Sequence, residues 1–320
     1  MAPTSRAPRR ALALVVLATA LVACGGGDDP PEWPALPPTG APPAAAPVCD
    51  GGSVSGRSYT LCTAGDAAGQ GLIVALHGRG SSAAEMQAMT ALEVPAAAAG
   101  YAVVYPEGLD GGWGDDTFAT PARPGGDEDV VFLDTLVAGL RADPRIGDDP
   151  VGLIGFSNGA SMALRYAAQR PEAVRAVVSV AGQLPRDPAV RPAGRVPLLA
   201  LYGDADPIRP FATGIAEPPA RAPGQSTPTL STSETVAAFA GPAATHTGPE
   251  STDPDPGDGT QVLTERWSDG DGTRVVLQTV VGGGHTWPSS RTAPRPEFGT
   301  LSRDLDASAE AVGFVTEFDL

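Results

Sequence analysis

Val151-Gly152-Leu153-Ile154-Gly155-Phe156 is an apolar run of strand length, and Ser157-Asn158-Gly159 carries it directly into a segment of helical length, Ala160 to Gln169. Working outward, the same alternation recurs on both sides. Leu72 to Leu76 and Tyr101 to Tyr105 read as buried strands, with a helix between them around Ala83 to Leu92. Asp129 to Leu140 has Val130, Phe132, Leu133, Leu136, Val137 and Leu140 at helical spacing. Val174 to Val180 and Leu198 to Tyr202 are further strands, followed by Val262 to Trp267, Arg274 to Val281 and a closing helix near Leu305 to Phe318. Strands that are apolar throughout and alternate with helices predict an α/β fold, with a mostly parallel central sheet covered by helices on both faces.

The alternation breaks at about 210–259, a stretch rich in Pro, Gly, Ser and Thr. One short helix is expected inside it, because Ser231 and Glu234 stand as a capping box ahead of Val236 and Phe239. A loop region of that length inside one domain reads as a cap over one side of a functional site.

Gly155-Phe156-Ser157-Asn158-Gly159 fits G-x-S-x-G, and its place between strand and helix is that of the nucleophile elbow of α/β-hydrolases. Ser157 would project at the N-terminus of a helix whose dipole favours developing negative charge. A serine hydroxyl needs a base, and the chain has three histidines, His77, His246 and His285. In this fold the order is Ser, acid, His. His77 precedes the serine, and His246 lies in the insertion beside no expected regular element. His285 follows the last strand within Gly282-Gly283-Gly284-His285-Thr286-Trp287-Pro288 and is the candidate base. The acid should end a strand between Ser157 and His285. Gly203-Asp204-Ala205-Asp206-Pro207-Ile208 offers Asp204 and Asp206, which spacing alone does not separate.

His77-Gly78-Arg79-Gly80 follows the first long strand, where this fold places one oxyanion-hole amide, so the backbone N–H groups of Arg79 and Asn158 are the expected pair. Phe156 and Trp287 flank the nucleophile and the base, and they are candidate substrate contacts. Trp113, in Gly111-Gly112-Trp113-Gly114, either lines the substrate groove or packs under a loop. No Cys/His cluster has metal-site spacing, and no dinucleotide or P-loop glycine pattern occurs, so no metal and no cofactor are expected. Asp269-Gly270-Asp271-Gly272 joins two strands and reads as a hairpin turn.

Lys plus Arg number 21 against 37 Asp plus Glu, a formal charge of −16. Such a chain repels phosphate backbones and excludes nucleic acid as the expected partner. A neutral ester meets no such barrier. The N-terminus carries Arg6, Arg9 and Arg10, then an apolar run from Ala11 to Val22, shorter than the ~20 residues of a membrane span, and 1–24 reads as a lipoprotein-type secretory signal segment of a protein exported to the cell envelope. Leu21-Val22-Ala23-Cys24 resembles a bacterial lipobox, which makes Cys24 the expected acylation site and a lipid anchor the only membrane link. Residues 25–47 contain eight prolines and form an expected tether, able to reach about 70 Å if extended, ahead of a catalytic domain over 48–320. Cys49 and Cys62 then remain as an even pair. A hairpin turning near Ser55-Gly56 would set them opposite one another, as a disulfide requires.

Leu76-His77-Gly78, Asp129-Val130-Val131-Phe132-Leu133, Gly155 to Gly159, Asp206-Pro207-Ile208-Arg209-Pro210-Phe211 and Gly283-Gly284-His285-Thr286-Trp287-Pro288 occur in that order. Together they resemble the polyhydroxybutyrate depolymerase-like esterases, relatives of feruloyl and acetylxylan esterases, over roughly residues 52–318. The resemblance implies that Asp206 is the triad acid and that the substrate is a hydroxyalkanoate polyester or oligomer, with feruloyl or acetyl esters of plant polysaccharide as the alternative. Arg79 and Ala160 depart from residues frequent in that family, and the insertion lacks its usual cysteines, differences that bear on substrate rather than on chemistry. A non-catalytic surface binding protein of the same fold is the rival reading. Oligomeric state is left open.

Overall fold

A computed structural model describes residues 46–115, 127–186, 189–192, 195–214, 228–270 and 274–318. The expected signal segment over 1–24 with Cys24, nearly all of the tether, and 215–227 of the insertion lie outside the described residues. So do Asp271 and Gly272 of the expected hairpin turn.

The chain opens with β1 (Val48–Val54) and β2 (Arg57–Thr63), an antiparallel hairpin whose turn is Ser55 and Gly56, both at positive φ. Cys49 stands opposite Cys62 in that ladder and is bonded to it. Then follow β3 (Gly71–Leu76), α1 (Ala83–Thr90), α2 (Glu93–Ala98), β4 (Tyr101–Pro106), α3 (Asp127–Leu140), β5 (Val151–Phe156), α4 (Asn158–Gln169), β6 (Val174–Val180) and β7 (Leu198–Gly203). The last elements are α5 (Thr232–Ala240), β8 (Thr245–Thr252), β9 (Gln261–Ser268), β10 (Arg274–Val281) and α6 (Ala307–Glu317).

Among the described residues, ten strands join one sheet in the order β1-β2-β4-β3-β5-β6-β7-β10-β9-β8. The central run from β4 to β10 is parallel, and antiparallel strands finish both edges. The central strands are buried on both sides, which is why they lack alternation in sequence. Strand β5 shows what covers each face. A methyl on Gly152 would meet Val315 of α6 at 2.5 Å, while one on Gly155 would meet the backbone of Gly159 in α4 at 2.4 Å. Residues three apart on a strand point to opposite faces, so α6 and α4 lie on opposite sides of the sheet. This is the expected α/β-hydrolase architecture.

Two features differ from expectation. Helix α1 matches the helix expected around 83–92, but α2, with Pro95 in its first turn where a proline is tolerated, follows it as a second helix that was not expected. The 210–259 stretch holds α5, with Ser231 and Glu234 forming the full capping box, and also β8, which the sequence did not suggest. Every residue of β8 is exposed, so no apolar pattern marks it; it is held by backbone pairing to β9. His246 therefore sits on an edge strand rather than in an irregular loop. Strands β9 and β10 pair antiparallel with Ser268 opposite Arg274, as the hairpin reading of the segment between them requires.

Candidate active site

Ser157 occupies the sharp turn from β5 into α4 with φ 55° and ψ −116°, a backbone state disfavoured for any residue with a Cβ. Two glycines permit the turn. A Cβ on Gly159 would lie 2.3 Å from the Leu76 carbonyl oxygen, and one on Gly155 would strike Gly159 itself, so neither position accepts a side chain. The serine N–H donates to the Val180 carbonyl (2.8 Å), which pins the elbow to β6.

Asp206 and His285 leave the carboxyl ends of β7 and β10, neighbouring parallel strands in the sheet. His285 is buried, and its own N–H donates to the Phe298 carbonyl (2.6 Å). Its Nδ1 lies 2.7 Å from Asp206 Oδ2, and its Nε2 lies 2.8 Å from Ser157 Oγ. A carboxylate only accepts, so Nδ1 carries the proton and Nε2 presents its lone pair to the serine hydroxyl. The other carboxylate oxygen, Oδ1, accepts from the N–H groups of Ile208 (2.7 Å) and Arg209 (2.8 Å), which fixes the plane of the carboxylate. Asp204 is exposed and turned away, accepting from the Gly282 N–H (2.7 Å). His246 is engaged elsewhere, 3.0 Å from Glu265 and stacked on Trp267. The structure thus brings together Ser157, His285 and Asp206, a constellation able to remove the serine proton and return it to a leaving group.

The His77–Gly80 loop abuts the elbow: a methyl on Gly78 would lie 3.5 Å from Ser157 Cβ. Asn158 is the first residue of α4. Arg79 lines a cavity of about 320 Å³ that opens over Ser157 and His285, and burial beside Arg209 lowers its guanidinium pKa, against the opposing pull of Asp115. The cavity wall is mainly apolar, with Phe156, Trp287, Met89, Pro294 and Phe298 contributing. Phe156 and Trp287, the expected substrate contacts, are thus at the cavity wall.

Trp113 is not. It is buried under the loop, with Phe132 behind it, so of its two expected placements the packed one holds. Of the expected cap, residues 215–227 lie outside the described residues. No described residue between 210 and 259 lines the cavity; its outer wall is the segment from Ser290 to Phe298, just beyond His285. Sequence reasoning missed that wall and also Arg209, a buried cation whose Nη1 donates to Ser161 Oγ (2.6 Å) one turn below the elbow. Arg209 lies inside the Asp206–Phe211 motif, which was the available signal. Beside it, burial raises the pKa of Tyr202, whose hydroxyl donates to the Arg209 carbonyl (3.0 Å).

A parallel sheet with a strained serine between strand and helix, and a histidine and an aspartate from later strand ends, defines an α/β-hydrolase. A model of the dienelactone hydrolase family matches residues 61–217. The chain is 41% identical, over an alignment of 337 positions, to "Putative esterase NocK" of Nocardia uniformis subsp. tsuyamanensis, covering 96% of this chain and 97% of that one. An acetyl xylan esterase from Aspergillus awamori has a similar fold, with a TM-score of 0.50 at 15% identity over 75% of this chain and 94% of that one. The chain belongs to the family of NocK, among the α/β-hydrolase esterases.

Proposed function

We propose that this protein is a serine carboxylic-ester hydrolase that works through an acyl-enzyme on Ser157. The observation that carries the reading is the hydrogen bonding of His285 to Ser157 on one side and to Asp206 on the other. In the reaction, His285 Nε2 takes the hydroxyl proton as Ser157 Oγ adds to the ester carbonyl. The oxyanion is received by the backbone N–H groups of Arg79 and Asn158. Collapse expels the alcohol, which takes the proton from His285, and water then repeats the sequence to release the acid. Ser157→Ala or His285→Ala should each remove nearly all turnover of a p-nitrophenyl ester, by up to ~10⁶ in kcat, while His246→Ala stays active. Turnover surviving Ser157→Ala would sink the reading.

Within esters, the reading favours hydroxyalkanoate polyesters or their oligomers. Its support is the ordered set of motifs from His77 to Pro288 and an open, largely apolar cleft. Acetyl or feruloyl esters of plant polysaccharide are the second reading, favoured by the fold likeness to an acetyl xylan esterase. Product analysis on a panel of polyesters and of acetylated and feruloylated xylans separates the two. The reading extends to export, with cleavage ahead of Cys24 and acylation of that residue, supported by the basic start, the apolar run and the lipobox-like Leu21-Val22-Ala23-Cys24. Cys24→Ser should then release the protein from membrane fractions or leave its precursor unprocessed.

A further inference from the structure

We propose that Trp113 is a positioning residue that ties the two oxyanion-hole amides to each other. The inference rests on the reading of Arg79 and Asn158 given above. Those amides come from separate segments, one following β3 and one opening α4, and the loop that follows β4 lies between them.

The loop holds the first segment at three points. Gly80 N–H donates to the Gly111 carbonyl (2.7 Å), Gly108 N–H donates to His77 Nε2 (2.9 Å), and the Trp113 indole N–H donates to the His77 carbonyl (3.0 Å). Trp113 also holds the second segment: its backbone N–H donates to Asn158 Oδ1 (2.7 Å), and its carbonyl accepts from Asn158 Nδ2 (3.0 Å). One residue thus makes three hydrogen bonds to the two segments, two to Asn158 and one to the residue that leads into Gly78 and Arg79. All three partners are buried, with Trp113 1%, His77 0% and Asn158 2% exposed. The strut is braced from behind. Gly114 N–H donates to the Asp129 carboxylate, the Gly114 carbonyl accepts from Arg165 (3.2 Å), and Phe132 of α3 packs 6.3 Å from the indole.

A tryptophan that only filled the core would need its rings and nothing more. This one spends its indole N–H on the peptide carbonyl next to Gly78, where a shift passes directly to the Arg79 amide. Buried polar groups are costly to leave unanswered, so the three bonds hold the two segments in register. Oxyanion donors act only when preorganised within hydrogen-bond reach of the developing charge, and an ångström of misplacement can lower the rate by ~10². The indole N–H therefore contributes to the transition state without touching the substrate.

The test is Trp113→Phe, which keeps an aromatic ring and removes the N–H. With p-nitrophenyl esters, kcat should fall ~10- to 100-fold while KM stays within about twofold. Affinity for a trifluoromethyl ketone, which adds to the serine and presents an oxyanion, should weaken by the same factor; affinity for the unreactive ether analogue of the substrate should not change. Should Trp113→Phe fail to fold, benzothienylalanine at position 113 replaces the indole N–H by sulfur at nearly unchanged shape, and the same pattern is expected. A raised KM with unaltered kcat, or wild-type kcat and ketone affinity in the folded variant, would overturn the proposal. Ser157→Ala is measured alongside. If it is inactive while Trp113→Phe behaves as wild type, only the strut fails; if Ser157→Ala still turns over, the serine reading fails with it.

Discussion

Replacing Asp206 by Asn changes one atom and should cost nearly all of the activity, for a reason that can be followed bond by bond. Asp206 Oδ1 accepts from two backbone N–H groups, those of Ile208 and Arg209, at 2.7 and 2.8 Å. An asparagine amide must therefore put its oxygen there, since its NH₂ would face two donors. That choice turns the NH₂ toward His285 Nδ1, where it can only donate. The imidazole must then accept at Nδ1 and carry its proton on Nε2, so it donates to Ser157 and no longer takes the serine proton. The expected loss is ~10⁴ in kcat, about 5 kcal/mol of transition-state stabilisation, with folding intact. Asp204→Asn is the internal control. Its bond from the Gly282 N–H needs only an acceptor oxygen, which the amide retains, so activity should stay within about threefold. Initial rates on a short-chain p-nitrophenyl ester, with thermal melts to check folding, decide the matter. A folded Asp206→Asn variant with more than a tenth of wild-type kcat, or equal losses at both positions, would refute the reasoning.

Other consequences concern stability. Gly155→Ala and Gly159→Ala each force a methyl into backbone at 2.4 Å or less and should each lower stability by about 3 kcal/mol in urea melts, whereas Gly139→Ala, in open space on α3, should raise it by ~0.5–1 kcal/mol. Reducing the Cys49–Cys62 bridge, which spans a sequence separation of 13, should remove about 3 kcal/mol in the chain-entropy model and leave kcat near normal. Burial raises the Glu310 pKa, so the folded state holds that proton more tightly than the unfolded chain does. This contribution is complete below the unfolded pKa and is lost as pH rises through the folded one. Glu310→Gln should accordingly raise Tm at pH 7 and give a shrinking gain toward pH 4; a gain independent of pH would contradict the burial argument.

The parts of this fold that could be read beforehand are those whose physics is local or repeated. Val151 to Phe156 and Val174 to Val180 are strands with the expected bounds because burial on both faces demands an unbroken apolar run. The Cys49–Cys62 pairing follows from a two-residue turn, and the α5 cap follows from Ser231 and Glu234. Strand β8 escaped because an edge strand exposed on both faces is specified by backbone pairing, with Pro249 breaking any alternation. Trp113 escaped because its burial depends on Phe132 and Asn158, far away in sequence. The stretch from Ser290 to Phe298 escaped as cavity wall because a proline-containing segment after His285 looks no different in sequence from one before β9. Asp204 and Asp206 stand two residues apart, so spacing does not distinguish them, whereas the bonds each makes do.

The central claim is a covalent intermediate on Ser157, and the most direct measurement is to trap it. The protein should be mixed with a slowly deacylating p-nitrophenyl ester, quenched in acid within the burst, and its intact mass and peptides measured. The account predicts a burst of about one p-nitrophenol per protein and a single acyl group on the peptide containing Ser157, with neither seen in Ser157→Ala. Steady turnover with no acylated serine, or an acyl group located on another residue, would contradict it.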